Sequence, residues 1–402
     1  MIKRYKYRAY PTKEQDQYFQ KIFGCCRFVY NWGLGLKIDS YQQSKQAGEN
    51  KPKSLSIFDI SKKLTELKKQ SEFAWLNEVP SIALNWSLQN LDKAYKNFFH
   101  KKNKDNGFPK FKNKYKSGKT FSFHQGYKIV DNRITVPKAG WLKFVKHRNY
   151  TGDTKTVTII EEPSGKYYVS IVVDNHKNTK EIVPFIKDKI LGIDVGVVNT
   201  ITLSNDVQFL MDIDFKKDCK KLAREQHTLS KRVRGSSNYR KQRIKVAQVY
   251  ERIRFKREYQ IKMAVFNLVE YLLDNDYAGI AIRKYDIKDM VNKDNVEKED
   301  GKTKKGERIK KRNLNKKLLN GAMGMVCTAI KSKCNENGLS VLEMDADEIK
   351  TTGRCRKCDS ETVVVNLKNR KLDCKNCGHV EDMDKNAAKN ILKYCLDNQK
   401  DN

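Results

Sequence analysis

The stretch Lys187-Asp-Lys-Ile-Leu-Gly-Ile-Asp-Val-Gly-Val-Val-Asn-Thr-Ile-Thr-Leu-Ser204 places the carboxylate of Asp194 inside a strongly apolar strand pattern. The apolar run Ile190–Ile193 predicts a buried strand, Gly196 permits a turn, and Val197–Leu203 predicts the second strand of a hairpin. An Asp held at this place can bind a divalent metal. The same pattern also fits an ordinary hairpin with the Asp at an edge or bulge, so the stretch alone leaves both interpretations open.

The composition indicates a polyanionic partner. The 402 residues include 82 Lys plus Arg against 48 Asp plus Glu, a net charge of +34. The basic residues form several blocks interleaved with aromatic residues, which favours nucleic acid over a membrane surface. The N-terminal sequence has no apolar signal core, and no apolar run approaches the roughly 18 residues that span a bilayer. We therefore expect a cytoplasmic protein of about two to four domains, with cysteines used for metal ligation or as buried thiols.

The N-terminal part alternates like a strand over Ile2–Ala9 and then becomes helical. Thr12 and Gln15 have the spacing of a capping box, which predicts a helix start at this point. Residues 12–100 have a helical pattern throughout, and within them Ser81–Phe99 predicts a long amphipathic helix.

Two segments combine dense positive charge with features that suit nucleic acid. Residues 101–116 alternate lysines with aromatic rings, and Gly107 and Pro109 prevent a regular helix, so the segment suits a phosphate backbone with stacking platforms. Residues 216–262 have a helical pattern with 17 basic and four acidic residues, interrupted at 235–238 to give a helical hairpin. The segment at 101–116 could instead be a solvated charged face. The candidate nucleic-acid-binding residues here are Lys101, Lys102, Lys104, Phe108, Lys110, Phe111, Lys112, Lys231, Arg232, Arg234, Arg240, Lys241 and Arg243.

The remaining patterns outline a β-rich part and an α/β part. Strand patterns over 120–173, clearest in Thr154–Glu161 and Tyr167–Val173, predict a small β-barrel that also recruits the first strand. Further along, the sequence predicts helices at 265–273 and 318–335, strands at 277–287 and 340–344, and a flexible loop at 291–311.

A metal site is predicted by Cys355-Arg-Lys-Cys358 and, after fifteen residues, Cys374-Lys-Asn-Cys377. Four thiolates from two such knuckles suit a tetrahedral structural zinc ion, and the intervening residues 363–372 predict a β-hairpin that brings the knuckles together. Two redox pairs are the alternative, but a redox pair would favour a helix N-terminus. A site with four thiolates has no open coordination position, so it would build shape and not catalyse.

An acidic cluster, Glu381-Asp-Met-Asp384, follows the second knuckle and leads into a helix. Asp384 could face Asp194 across a shared metal, or it could simply cap the helix.

Several of these motifs, taken together and in order, resemble the TnpB family, the insertion-sequence proteins related to type V CRISPR effectors. Those motifs are Tyr10-Pro-Thr-Lys13, Gly24-Cys-Cys-Arg-Phe-Val-Tyr-Asn31, Gly107-Phe-Pro-Lys-Phe111, Gly192-Ile-Asp-Val-Gly196, the cysteine knuckles and Asp384-Lys-Asn-Ala-Ala388. The resemblance implies an RNA-guided DNA-binding protein whose partners are a structured guide RNA and double-stranded target DNA, with no membrane and no small-molecule substrate.

The implied fold is α+β and multidomain. It comprises a wedge-type β-barrel (1–10 and 120–185), an inserted helical recognition domain (11–119), a RuvC-like domain of RNase H fold (186–350 and 379–402) and a zinc ribbon that interrupts it (351–378). The resemblance also turns the helix at Ser81 toward a motif-containing duplex. Ser81 and Asn85 lie one turn apart there, and Asn suits bidentate contact with adenine.

The family's nuclease uses three acidic residues, and two of them carry over as Asp194 and Asp384. At the position of the third, a Glu in the family, this sequence has Arg283. A two-metal mechanism needs negative ligands, so a guanidinium at this position predicts a dead or crippled nuclease, with magnesium used only if activity survives. Asp286 or Asp289 downstream could substitute for the missing carboxylate.

Three functions follow from these features. The first is an RNA-guided, nuclease-deficient DNA binder that represses transcription at a promoter. The second is an active RNA-guided endonuclease with a relocated carboxylate. The third, a transposition accessory factor without a guide, is disfavoured because the sequence offers no recognisable Tyr or Ser recombinase constellation.

Overall fold

The computed structural model describes residues 1–48, 53–100, 107–176, 180–196, 200–211, 215–284, 323–345, 351–366 and 369–398. The chain divides into two compact units, the first formed by Met1–Lys177 with Val233–Gln248 and the second by Asn178–Arg232 with Val249–Asn402. The predicted loop at 291–311 lies outside the described residues, as do Asp286, Asp289 and three of the candidate lysines, Lys101, Lys102 and Lys104.

The first unit begins with strand β1 (Ile2–Tyr10) and the long helix α1 (Lys13–Gln46). The predicted capping box starts this helix: the Thr12 hydroxyl accepts from the Gln15 N–H at 3.2 Å, and the Gln15 side chain accepts from the Thr12 N–H at 3.1 Å. Helices α2 (Ile57–Leu67) and α3 (Ser81–Phe99) follow and bury their apolar faces in the same core as α1. The predicted helices are confirmed, together with a 3-10 helix at Ser71–Glu78, but the helical pattern is not continuous because residues 53–56 and 79–80 are not helical.

A curled seven-stranded antiparallel sheet completes the first unit, in the order β2-β6-β7-β1-β5-β4-β3. The strand β1 lies between β7 and β5, so the prediction that the β-rich part recruits the first strand is confirmed. The added strands are β2 (Lys119–Phe123), β3 (Ile129–Val130), β4 (Arg133–Val136), β5 (Gly140–Val145), β6 (Asp153–Glu161) and β7 (Tyr167–Asp174).

The second unit contains a five-stranded mixed sheet in the order β10-β9-β8-β11-β12. Its strands are β8 (Ile190–Val195), β9 (Thr200–Leu203), β10 (Gln208–Leu210), β11 (Gly279–Arg283) and β12 (Ser340–Met344). Strands β8 to β10 pair antiparallel, and β11 joins β8 and β12 in parallel. This arrangement, an antiparallel meander followed by parallel strands on the side of its first strand, is that of the RNase H fold and confirms the predicted RuvC-like fold.

The helices of the second unit are α4 (Lys216–Ser230), α5 (Ser237–Asp274, whose first residues belong to the first unit), α6 (Met323–Glu336) and α7 (Met383–Asp397). The predicted break in the basic helical segment is confirmed between Ser230 and Ser237. The separate helix predicted at 265–273 is wrong, because α5 continues through these residues. Neither Met263 nor Ala264 is a helix breaker, so the helix continues through them. The change from basic to apolar residues reflects a change from solvent-exposed to buried surroundings along one helix. Among the described residues, no helix has the length and apolarity needed to cross a membrane.

The two faces of β8 are covered differently. Leu191, Ile193 and Val195 belong to one core with residues of α5 and α6, whereas Ile190 packs with Ile391 of α7. A Cβ at Gly192 would lie 2.1 Å from the carbonyl oxygen of Ala388, so only glycine lets α7 approach this closely. The face of β8 that carries Gly192, and with it Asp194, is therefore the face on which α7 lies.

The cysteine-rich segment forms a three-stranded antiparallel sheet of β13 (Val363–Asn366), β14 (Lys371–Cys374) and β15 (Val380–Asp382). The predicted hairpin between the knuckles is β13–β14. The third strand, β15, runs directly into α7, so the ribbon and the helix that carries Asp384 are continuous in the chain.

Candidate active site and metal centre

The carboxyl ends of β8 and β11 bring Asp194 and Arg283 side by side. The parallel register pairs Ile282 with Ile193, so the next position on each strand holds Arg283 and Asp194. Adjacent strands are about 4.8 Å apart, and residues in register share a face of the sheet. Asp194 is only 9% exposed. Its neighbours on the adjacent strands are therefore Thr202 on β9 and the guanidinium-bearing Arg283 on β11.

Asp384 lies in the first turn of α7, against the same face of the sheet. The cap of this helix is Asp382, whose carboxylate accepts from the N–H groups of Asp384 at 2.9 Å and Lys385 at 3.2 Å. The alternative that Asp384 is itself the helix cap is therefore wrong. Its buried carboxylate is available for another partner.

That partner is Arg370, which the sequence reasoning missed. The Nε of Arg370 donates to Oδ2 of Asp384 at 2.9 Å, and its Nη2 contacts both carboxylate oxygens. The Arg370 carbonyl also accepts from the Met383 N–H at 2.9 Å, which fixes the ribbon hairpin to the start of α7. The hydrogen bond to Asp384, with the charges of Asp384, Asp382 and Asp194, raises the pKa of Arg370. Asp194 and Asp384 thus act on the same guanidinium and belong to one electrostatic site.

Arg283 makes a further contact with the segment that precedes the first knuckle. Its Nη1 donates to the hydroxyl of Thr351 at 3.2 Å, and Thr351 is almost completely buried. The sequence predicts one guanidinium, that of Arg283, beside Asp194 and Asp384. The structure has two at this site, Arg283 beside Asp194 and Arg370 on Asp384.

Two buried asparagines of α7, also missed from the sequence, hold the ribbon in place. Asn386 donates to the Arg354 carbonyl at 2.8 Å and accepts from the Arg356 N–H at 3.0 Å. Asn390, one turn later, donates to the carbonyls of Thr351 and Arg354 at 2.8 Å each. Asn386 is 0% exposed. The signal in the sequence is an i, i+4 pair of amides on the apolar face of a helix, beside Ala387 and Ile391.

The four predicted metal ligands converge. The Sγ atoms of Cys355, Cys358, Cys374 and Cys377 all lie within 4.8 Å of one another, with 3.7 Å between Cys355 and Cys377 and 3.6 Å between Cys358 and Cys374. A tetrahedron of thiolates with bonds of about 2.3 Å requires sulfur–sulfur distances of about 3.8 Å, so the set fits a four-coordinate metal. The Ser360 N–H and the Asn376 side chain lower the pKa of Cys358, whereas the neighbouring thiols raise the pKa of Cys377.

An ionic cluster around Glu381 links β15 to its surroundings. The Glu381 carboxylate accepts from Arg356 Nε at 2.6 Å and Lys389 Nζ at 2.7 Å, and lies 3.2 Å from His379 Nε2. Burial would raise the pKa of Glu381, but the hydrogen bonds from Lys389, Arg356 and His379 outweigh it and lower the pKa to about 2. Glu381 therefore stays ionised at neutral pH and ties the first knuckle to α7.

Most of the predicted nucleic-acid-binding residues in the first unit are exposed. Ser81 and Asn85 lie one turn apart at the start of α3. Phe108 and Phe111 are 44% and 58% exposed, and Lys110 is also exposed.

Lys112 differs from these residues because it is half-buried. Its Nζ lies 3.8 Å from the centre of the Tyr30 ring, and its main chain exchanges two hydrogen bonds with Asn31. Burial lowers the pKa of Lys112.

The six candidate residues around the α4–α5 break are all exposed. Lys231 and Arg232 end the α4 segment of the second unit. The other four lie in the part of the chain grouped with the first unit: Arg234, Arg240, Lys241 and Arg243.

Comparison with known proteins gives matches along most of the chain. Residues 171–293 match a family model described as "Probable transposase", and residues 324–391 match "Cas12f1-like, TNB domain". Residues 1–46 match a "Helix-turn-helix domain" model, where the structure has β1 and α1. A candidate RNA-guided DNA endonuclease of Escherichia coli K12, InsQ, is 31% identical over 292 residues, which are 72% of this chain and 67% of the relative.

The chain belongs to the TnpB family. A second relative, a candidate RNA-guided DNA endonuclease of Streptomyces pristinaespiralis, is 26% identical over 96% of this chain and 88% of its own length. A solved Cas12f1–sgRNA–target DNA complex aligns with 97% of this chain and 98% of its own, at 15% identity and a TM-score of 0.34. Asp194, Arg283 and Asp384, which the sequence predicts at the family's three catalytic-acid positions, lie on β8, β11 and α7 respectively.

Proposed function

We propose that this TnpB-family chain is an RNA-guided, sequence-specific DNA-binding protein that does not cleave its target and represses transcription by occupying a promoter beside a short motif. The observation that carries the proposal is the register of β8 and β11, which sets Arg283 beside Asp194. A site that must bind divalent cations gains a fixed positive charge at the place where a third carboxylate would contribute a negative one.

The charges of the described residues do not fit a two-magnesium site. Asp194, Asp382 and Asp384 supply three negative charges, while Arg283 and Arg370 supply two positive ones. Two divalent cations at this place would have little carboxylate charge to offset their own, and Arg283 would repel them. A folded site without magnesium is consistent with this balance.

The remaining features support binding. The exposed basic residues of the first unit and of the α4–α5 segment suit the phosphates of guide RNA and target DNA, and Ser81 and Asn85 would contact the DNA motif. The four cysteines would hold one zinc ion, which would fix the ribbon and supply no open coordination position. The names of the relatives, as candidate RNA-guided DNA endonucleases, support the guided part of the proposal.

The second candidate is an active RNA-guided DNA endonuclease with a relocated carboxylate. The same relatives favour it, because both are named for cleavage. It requires Asp286 or Asp289 to replace the missing Glu, and magnesium as a cofactor. Both aspartates lie outside the described residues.

One experiment separates the two functions. The protein is purified with its RNA, the RNA is sequenced, and DNA targets that match the guide are tested for binding and cleavage with magnesium or with a chelator. We expect specific binding in both conditions and cleavage in neither. Magnesium-dependent cleavage that is lost in Asp194→Ala would establish the endonuclease instead. Specific binding of one DNA site by RNA-free protein at physiological salt would contradict guided recognition.

A further inference from the structure

The C-terminal end of α3 carries a cluster of four aromatic rings. Tyr95, Phe98 and Phe99 come from the helix, and Phe108 comes from the segment after it. The ring centres of Phe108 lie 5.5 Å from Tyr95 and 5.4 Å from Phe98, both edge-to-face, and Phe99 lies 5.0 Å from Phe98 and 6.3 Å from Tyr95. These separations are those of favourable aromatic pairs, so the neighbours restrict the orientation of each ring. We call these four residues the ring cluster.

The ring cluster is buried at its base and open at its top. Tyr95 is buried in a small core with Tyr30, Leu34 and Leu91. By contrast, Phe99 is 70% exposed. A large apolar ring held in a fixed position in water is costly, and exposed aromatic surface of this kind marks interaction sites.

The charges around the ring cluster indicate what it contacts. Lys96 is exposed on α3 one turn before Phe99, and Lys110 is exposed two residues after Phe108. Lys96 also has an ion pair with Asp92 at 2.8 Å. Exposed rings beside a surplus of lysines match single-stranded nucleic acid, in which lysines contact phosphates and rings stack on bases.

We propose that Phe99, held by Tyr95 and Phe98 and flanked by Phe108, is a stacking platform for an unpaired base of single-stranded DNA. The base must be unpaired, because in a duplex both faces of every internal base are covered by its neighbours. The proposal rests on the proposed function, since guided recognition opens the target duplex and exposes such bases. The α3 helix would then carry motif-contacting residues at its start and a strand-contacting ring at its end.

The test uses the full protein with its co-purified RNA and a short single-stranded DNA that contains one 2-aminopurine and is not complementary to that RNA. Stacking quenches 2-aminopurine fluorescence, so the signal reports the contact itself. We expect Phe99→Ala to weaken binding by about five- to a hundredfold, the range for loss of one stacked base, and to remove the quenching. Phe99→Trp should preserve both. Phe99→Leu, which keeps an apolar side chain without a ring, should behave like Phe99→Ala.

The matched control is Phe58→Ala. Phe58 on α2 is 66% exposed and has Lys62 Nζ 4.6 Å from its ring centre, but it lies outside the ring cluster. Phe58→Ala should bind and quench like the unaltered protein. Equal losses in Phe58→Ala and Phe99→Ala would overturn the proposal, as would unchanged quenching in Phe99→Ala or an effect confined to single-stranded RNA. Binding to the guide-matched duplex is measured separately, and its failure with the unaltered protein would refute the proposed function instead.

Discussion

The ribbon and the RuvC-like site meet at the start of α7, yet they differ in how much of their ligand chemistry is intact. The ribbon has four convergent thiols with the separations that a tetrahedral metal requires. The RuvC-like site has two carboxylates, and each has a guanidinium beside it. The ribbon thus has four thiols that fit one metal ion, whereas the charges at the RuvC-like site nearly cancel. Under the proposed function, a protein that places DNA without cutting it needs only the first.

The largest effect should come from a substitution at the four-cysteine site of the ribbon. Cys355→Ser removes a buried ligand, and in small metal-bound folds the free energy of metal binding is largely the free energy of folding. We expect the ribbon to lose its zinc and become sensitive to protease. Zinc content by mass spectrometry and limited proteolysis measure this. Cys219→Ser, at a thiol outside the metal site, is the control and should keep one zinc ion. Full zinc content in Cys355→Ser would contradict the four-cysteine site.

A smaller loss of stability should follow when the ribbon keeps its cysteines but loses a hydrogen-bonded attachment to α7. Asn386→Ala leaves the Arg354 carbonyl with one amide donor fewer and the Arg356 N–H without its partner, so we expect about 2 to 4 kcal/mol of destabilisation. Urea unfolding measures it. The control is Asn275→Ala, at an exposed residue whose side chain donates to the Tyr271 carbonyl, and it should cost less than about 1 kcal/mol. An equal loss of unfolding free energy in Asn386→Ala and Asn275→Ala would show that the Asn386 amide does not hold the ribbon.

The third change, Arg283→Glu, would give the RuvC-like site a further metal ligand, so that both sites could bind metal. Arg283→Glu places a carboxylate beside Asp194, so the variant should gain affinity for divalent cations. Bound metal raises the free energy of unfolding by about 1.4 kcal/mol at ten times the dissociation constant, which a magnesium titration of thermal unfolding detects. Arg283→Gln, which removes the charge without adding a ligand, is the control and should show a smaller effect. If magnesium stabilises the unaltered protein as much as it stabilises Arg283→Glu, the inference that the RuvC-like site does not bind divalent cations is wrong.

Local spacing explains what the sequence predicted, and tertiary contact explains what it missed. The capping box at Thr12, strand β12 and the four cysteines depend on residues a few positions apart or on a motif, and all appear in the structure as expected. The pair Arg370–Asp384 depends on how the ribbon hairpin folds back on α7, which no spacing reveals. The roles predicted for Arg283 and Asp194 came from family resemblance, and the register of two strands far apart in sequence places them at neighbouring positions.

The smallest expected effect is that of Asp194→Ala on the affinity for DNA. Asp194→Ala removes a carboxylate that, under the proposed function, holds no catalytic cation, so the affinity for guide-matched DNA should change less than about threefold with magnesium or chelator present. The comparable change at Asp384 is a poorer test, because it would also leave the half-buried Arg370 without its carboxylate partner and affect folding. Electrophoretic binding assays in both buffers measure the effect, and thermal unfolding verifies that the variant is folded. A binding loss of tenfold or more, seen only with magnesium, would mean that Asp194 still binds a cation in the DNA complex. The RuvC-like site would then resemble the ribbon in keeping its metal chemistry, and the endonuclease function would become the better description.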